Sequence, residues 1–356
     1  MAGTSDSTET STPLSTNLSA DPSTSPRTAQ AATSADGTAA PELIALPAGH
    51  RLAVRRAGHG GVPLLLVHGF PCTSLIWSRV IGPLADAGFD VAAPDLRGYG
   101  DSDLVADDVY DLAVFSIDLA ALLDVLGWER AVVVAHDLGA STTLDFANRF
   151  PERVERVVLL DATAPDLSEA YAAAGITASG PDRRILFDYQ ANQGLHADEL
   201  LDMLNTPERR RRYVGEFFGH RLWSPSDAFS DADREVLTAA YADHDRLRVA
   251  FRDYEIVMGR RRTSLPTIED RGLDQQVMVL IGADAATLGD PRTAEARCEV
   301  AYPRLVGPFW IRGAGHFLGW EKPKVVVGAV RSFCADLLAG DGAFTAPARR
   351  TSSAGT

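Results

Sequence analysis

The feature that most restricts this 356-residue chain is a series of short, unbroken apolar runs, each ending in a polar or glycine-bearing loop. "VPLLLVHGF", "FDVAAPDLRGYGDSD", "RAVVVAHDLGA", "VERVVLLDATAPD", "QQVMVLIGAD" and "RLVGPFWIRGAGH" recur in chain order. A strand with one wet face alternates polar and apolar residues; a continuous run has no wet face and must be covered on both sides. Between them lie helical patterns such as "YDLAVFSIDLAALLDVLG", "STTLDFANRF" and "PKVVVGAVRSFCADLLAG", the first and last closed by glycine. "RLAVRRAG" reads as an early strand. This alternation predicts an α/β fold with a mostly parallel central sheet flanked by helices.

The texture divides the chain. Residues 1–40 are mostly Ser, Thr, Ala and Pro, and such a segment buries too little apolar surface to offset its ordering entropy. It is expected to be a disordered tail, as is 341–356. Residues 41–164 and 271–340 carry the strand–helix alternation and form the expected core. Across 165–270 the strand patterns vanish, and a helical cap is expected, inserted after the strand that follows "AHDLGA". Ligands of open α/β sheets bind at the carboxyl ends of the strands, where such a cap would roof the site.

A net charge of −14 and a pI near 5.0 argue against nucleic acid or an anionic membrane as partner. "RRRR" at Arg209–Arg212 is a local exception, read as a solvated helix face. Cys72, Cys298 and Cys334 are widely spaced and suggest neither a disulfide framework nor a zinc site. No metal or organic cofactor is expected. No apolar run approaches the roughly 20 residues of a membrane span, and no secretory signal is read at the N-terminus. A reducing cytoplasm fits. Monomer and homodimer both remain open.

The chemistry centres on "VVVAHDLGAST". Asp137 stands where a strand turns into a helix, with Ala135 two before it and Gly139 two after. Small residues at these places allow a tight elbow whose central side chain projects freely, and the following helix N-terminus favours an anion there. Taken alone, the motif reads more readily as a helix N-cap, and the rest of the set overturns that reading. "HGFP" at His68–Pro71 ends an earlier strand, so the Phe70 and Leu138 N–H groups are candidates for an oxyanion hole. His68 and His136 are read as structural. His316, in "GAGHFLGWEKP" after the last strand, is the candidate base. Its carboxylate partner is ambiguous. Asp161 ends the strand after the elbow, 24 positions beyond Asp137, and is favoured. Asp284, in "LIGAD", is the alternative, one place short of the usual GxxD spacing, and Asp290 is a third.

With "HGFP", "DLRGYGDSD", "AHDLGA", "LLDATAPD" and "GAGHF", residues 41–340 resemble the α/β-hydrolase superfamily, within it the aspartate-nucleophile branch of epoxide hydrolases and dehalogenases. The resemblance implies an acid on the strand after the nucleophile, as in bacterial epoxide hydrolases and fluoroacetate dehalogenases, which supports Asp161. Haloalkane dehalogenases commonly carry Trp directly after the nucleophile. Fluoroacetate dehalogenases carry Arg there and again three positions later. This chain has Leu138 and Ser141, so neither halide nor carboxylate recognition carries over. "AFRDYEIV" resembles the cap helix bearing a ring-opening tyrosine, which falls on Tyr254; Tyr189, near "RRILFDYQANQG", is the candidate second donor.

The nucleophile selects the reaction. A carboxylate with an ordinary pKa near ~3.9 is ionised at neutral pH and needs no base to attack. At an ester carbonyl it would give an anhydride; at a saturated carbon it gives a hydrolysable ester. The expected activity is hydrolysis of a small apolar epoxide to a diol. The alternatives are a haloalkane or haloacid dehalogenase, an epoxide-opening tailoring enzyme of natural-product assembly, and a non-catalytic ligand-binding protein on the same fold.

Overall fold

The computed structural model describes residues 40–162, 164, 165, 167–176, 188–220, 222–225, 227–268, 271–284 and 290–340. The expectations for residues 1–39 and 341–356 lie outside this set.

Eight strands among the described residues form one sheet: β1 (Glu42–Ala45), β2 (Arg51–Ala57), β3 (Val62–Val67), β4 (Phe89–Pro94), β5 (Ala131–His136), β6 (Val154–Leu160), β7 (Gln276–Gly282) and β8 (Leu305–Ile311). Their order is β1-β2-β4-β3-β5-β6-β7-β8. The β1–β2 and β2–β4 pairs are antiparallel; every later pair is parallel. β4 and β5 are buried along their whole length, as their unbroken apolar runs require; β8, at the sheet edge, is half-buried and exposes Phe309.

Three helices accompany the first half of the sheet: α1 (Ile81–Asp86), α2 (Leu112–Leu126) and α3 (Leu138–Arg149). Asp111 caps α2 by accepting the Val114 N–H, and Gly127, at φ +71°, ends it. Between β6 and β7 the described residues are helical: α4 (Ser168–Ala173), α5 (Asp188–Leu195), α6 (Ala197–Met203), α7 (Pro207–Gly219), α8 (Asp231–Leu237) and α9 (His244–Val257). The chain closes with α10 (Pro291–Ala301), α11 (Leu318–Glu321), α12 (Pro323–Phe333) and α13 (Ala335–Leu338). None of the described helices is long and apolar enough to cross a membrane.

The Arg209–Arg212 run lies on α7, and one member departs from the solvated reading. Arg210 is buried and donates to the Ala242 and Leu204 carbonyls, because its position on the helix shares the face of Val214 and Phe217.

The chain leaves β3 for β4 on one side and reaches β5 on the other, so β3 and β5 are neighbours that continue in opposite directions. Such a reversal opens a crevice at the carboxyl ends of the two strands. Val67 pairs with Ala135, His136 with Leu160, and Leu160 with Leu280. That register brings the residues following β3, β5, β6 and β7 to one edge.

α9 lies against this edge. Leu247, Ala250, Phe251 and Tyr254 share its buried face. Its flank is tied to the loop after β4: Arg246 donates to the Ser102 carbonyl at 2.9 Å, and Arg252 pairs with Asp108 at 2.7 Å. At Gly98 a Cβ would lie 2.7 Å from Val249 Cγ1, so only glycine permits this approach.

Candidate active site

β5 and α3 meet at Asp137, whose backbone is held at φ +54° and ψ −128°. Non-glycine residues seldom adopt such values, and side chains held there cluster at functional sites. Two glycines make the elbow possible. A Cβ at Gly139 would lie 2.5 Å from the Val67 carbonyl oxygen, and one at Gly69 would lie 2.5 Å from the Leu138 nitrogen. α3 therefore crosses β3 at backbone contact, and the loop after β3 lies against the elbow. Although it stands at the N-cap position, the Asp137 side chain makes no capping hydrogen bond to α3. Its carboxylate projects from the elbow.

Each oxygen of that carboxylate has its own partner. Oδ1 accepts the Phe70 N–H at 2.8 Å, and the neighbouring Leu138 N–H favours the charged carboxylate. Oδ2 faces His316 Nε2 at 3.3 Å. The two backbone donors expected around an oxyanion thus converge on Asp137 itself. Burial opposes the charge of Asp137, but the hydrogen bond and charge of His316 outweigh it and hold the carboxyl below its ordinary value.

His316 follows β8 in a loop under the described 222–225 segment. Its Nδ1 lies 2.6 Å from Asp161 Oδ2, and Gly282 N–H donates to Asp161 Oδ1 at 3.0 Å. Asp161 is buried and occupies the residue after β6 with φ +44°. The other candidate acids are elsewhere. Asp284 is exposed, in a turn whose N–H donates to the Ala314 carbonyl, and Asp290 is an exposed N-cap of α10 that accepts the Thr293 N–H. Burial disfavours the charged imidazole, yet the hydrogen bonds and charges of Asp137 and Asp161 prevail and raise His316 to about 10.

His68 and His136 take supporting places. His68 Nε2 accepts the Leu96 N–H at 3.0 Å, bracing the loop after β3. His136 Nε2 lies 3.0 Å from the His316 carbonyl oxygen, a donor to it. Burial, reinforced by the His316 charge, lowers the His136 pKa to about 3.

The wall opposite Asp137 is aromatic. Tyr254 is buried on α9, and its ring lies 5.7 Å from that of Tyr189 on α5 and 5.4 Å from that of Phe70. The two tyrosine side chains interact with each other, the Gln190 amide donates to the Tyr189 hydroxyl at 3.1 Å, and the Asp137 charge acts on both phenols; burial raises both well above their ordinary range. Phe217 and Trp223 complete the wall, Trp223 lying 5.5 Å from Tyr189 and 5.6 Å from His316 between ring centres.

Sequence reasoning missed these two aromatics: Phe217 looks like any residue of a buried helix face, and Trp223 lies in a turn beyond the end of α7. It also missed Glu321, whose carboxylate accepts backbone N–H groups of the His316 loop. The only signal was an acidic residue at the end of a short helix, five places after His316. Among the described residues no group of three or more His, Cys, Asp or Glu side chains is arranged to hold a metal ion.

Comparisons with known proteins bear on the family and the fold. A family model described as the alpha/beta hydrolase fold matches residues 62–323. Epoxide hydrolase A of Mycobacterium tuberculosis is 44% identical over 319 residues, covering 81% of this chain and 95% of that protein. The soluble epoxide hydrolase of Corynebacterium sp. is 38% identical over 289 residues, with 81% and 95% covered. Among solved structures, epoxide hydrolase CorEH without ligand superposes with a TM-score of 0.70 at 24% identity, covering 83% of this chain and 99% of that one, a likeness of fold. The family match and the near full-length relatives place this chain in the α/β-hydrolase family, among its epoxide-hydrolase-like members, and make it a hydrolase.

Proposed function

We propose that the protein is an epoxide hydrolase that opens a small apolar epoxide through a covalent ester on Asp137. The observation that carries this reading is the Asp137 carboxylate facing the His316–Asp161 pair on one side, with its charge felt by the packed Tyr254–Tyr189 pair on the other. The epoxide hydrolases of Mycobacterium tuberculosis and Corynebacterium support the activity.

Oδ2 of Asp137 attacks an epoxide carbon while Oδ1 stays in the Phe70–Leu138 donor pair. Tyr254 and Tyr189, on the helical cap, donate to the departing ring oxygen. A phenol raised by burial holds its proton until an alkoxide develops against it. Esterification removes the Asp137 charge, which is one of the two supports of the raised His316 pKa. His316 then releases its proton, balancing the one taken by the new hydroxyl, and becomes a base at the ester stage. It activates water against the Asp137 carbonyl carbon. The resulting oxyanion falls on the oxygen already held by Phe70 and Leu138, where each donor is worth about 3–4 kcal/mol in comparable sites. Collapse expels the diol alkoxide, which takes the proton of the Asp137 carboxyl group and leaves the Asp137 carboxylate and protonated His316. No step draws on a metal or organic cofactor.

Leu138 offers no side-chain donor to a leaving halide, and the aromatic wall suits an apolar substrate. Intact-protein mass of a His316→Ala variant exposed to epoxides and haloalkanes tests the reading. A stable adduct of the full epoxide mass is expected. Release of free halide from haloalkanes by the native enzyme, with no epoxide adduct on the variant, contradicts it.

A further inference from the structure

The loop that presents His316 is held by one carboxylate. Glu321, at the end of α11, turns back toward it. Oε1 accepts the Phe317 N–H at 3.0 Å and the Ser224 hydroxyl at 3.1 Å. Oε2 accepts the Gly315 N–H in a short bond. The two backbone donors lie immediately before and after His316. The His316 N–H donates to the Trp223 carbonyl, next to Ser224, at 2.5 Å. There is no slack between loop and segment: a Cβ on Gly315 would lie 2.7 Å from Ser224 Cα.

We propose that Glu321 is a positioning residue for His316, gathering the N–H groups on both sides of it and the Ser224 hydroxyl so that the imidazole is aimed at Asp137 for ester hydrolysis. The inference rests on His316 being the base. All three contacts are donors, and an ionised carboxylate is acceptor-only, so it satisfies them together. Glutamine offers one acceptor oxygen and sets its amide N–H groups against a donor. Alanine leaves the two loop N–H groups without this acceptor, and the loop relaxes. Glu321 hydrogen-bonds neither Asp137 nor the tyrosines, and ester formation draws on the His316 proton but not on its aim at a water, so that step depends on Glu321 only weakly. Ester hydrolysis does, because a base displaced by about 1 Å loses on the order of 100-fold in rate.

The test is rapid-quench single turnover with styrene oxide as probe, reading ester formation and loss separately by intact mass. The proteins are the native enzyme, Glu321→Ala, Glu321→Gln, His316→Ala and the His316→Ala/Glu321→Ala double variant. Both Glu321 variants are expected to form ester within about threefold of the native rate. Ester hydrolysis is expected to fall about 10- to 100-fold in Glu321→Ala and less in Glu321→Gln. The double variant is expected to hydrolyse ester no more slowly than His316→Ala, since Glu321 acts through His316. Native ester hydrolysis in Glu321→Gln and Glu321→Ala, equal loss of both steps, or additive losses in the double variant overturn the proposal. If Glu321→Ala does not fold, Glu321→Gln carries the test. Absence of ester accumulation in His316→Ala refutes instead the reading of His316 on which the proposal stands.

Discussion

His316 Nε2 lies 3.3 Å from Oδ2 of Asp137, while the other oxygen of that carboxylate is held by the Phe70 N–H at 2.8 Å. The two oxygens are therefore not equivalent. One is fixed among donors and the other is open to reaction beside the imidazole. The proposed mechanism uses that difference at each step, and the predictions below follow from it.

The pH dependence of the two half-reactions should run in opposite directions. In the resting enzyme the two carboxylates keep His316 protonated up to about pH 10, outweighing its burial. Ester formation, which ends with His316 giving up that proton, should slow as pH rises through about 10. In the ester the Asp137 charge is gone and the His316 pKa is lower. Ester hydrolysis should therefore speed up with rising pH until His316 is neutral, and level off below the resting value. Rapid-quench measurement of both steps across pH checks the two signs.

Asp161→Asn should leave ester formation largely intact and stall hydrolysis. The asparagine cannot offset the imidazolium that forms as water is activated, and its amide can impose the wrong tautomer. A loss of about 10³- to 10⁴-fold in the second step is expected, with ester accumulating. Asp284→Asn serves as the comparison, since that side chain is exposed; its hydrolysis rate should match the native enzyme.

Removing the phenol hydroxyls should act on the first step. Tyr254→Phe and Tyr189→Phe are each expected to slow ester formation about 10- to 100-fold, and the double variant by more than about 10³-fold. Ester hydrolysis, which begins after the ring has opened, should change little. Equal slowing of both steps would assign the tyrosines to packing.

The elbow makes a stability prediction. A Cβ on Gly139 would lie 2.5 Å from the Val67 oxygen and 2.6 Å from the His68 oxygen, both backbone atoms that cannot move aside. Gly139→Ala should destabilise the fold by about 1–3 kcal/mol. Gly82, inside α1, has nothing within 4 Å of the corresponding position, and Gly82→Ala should stabilise by about 0.5–1 kcal/mol. Denaturant unfolding of the two variants distinguishes strain at the elbow from a general effect of alanine.

The sheet was legible because fully buried strands leave unbroken apolar runs, and the elbow because close backbone approach demands small residues at fixed places. Local sequence favoured Asp161 over Asp284 without deciding between them. Each follows an apolar strand, and what distinguishes them is the register in which β6 lies beside both β5 and β7. The β6–β7 part of that register joins segments more than a hundred residues apart. Glu321 was illegible for a different reason. Its partners are two backbone N–H groups, present in every sequence, and a serine almost a hundred residues away. Phe217 and Trp223 carry no mark that separates a site wall from a packed core; only their position around Tyr189 does so.

The central claim is that Asp137 carries the substrate as an ester and is hydrolysed at its own carbonyl carbon. A single turnover in ¹⁸O-enriched water, with the enzyme in excess, tests it most directly. Mass spectrometry of the peptide containing Asp137 should show one heavy oxygen in its carboxylate, and the first diol formed should carry none from water. Heavy oxygen in that first diol, with Asp137 unlabelled, would show that water attacks the epoxide directly and would contradict the covalent route.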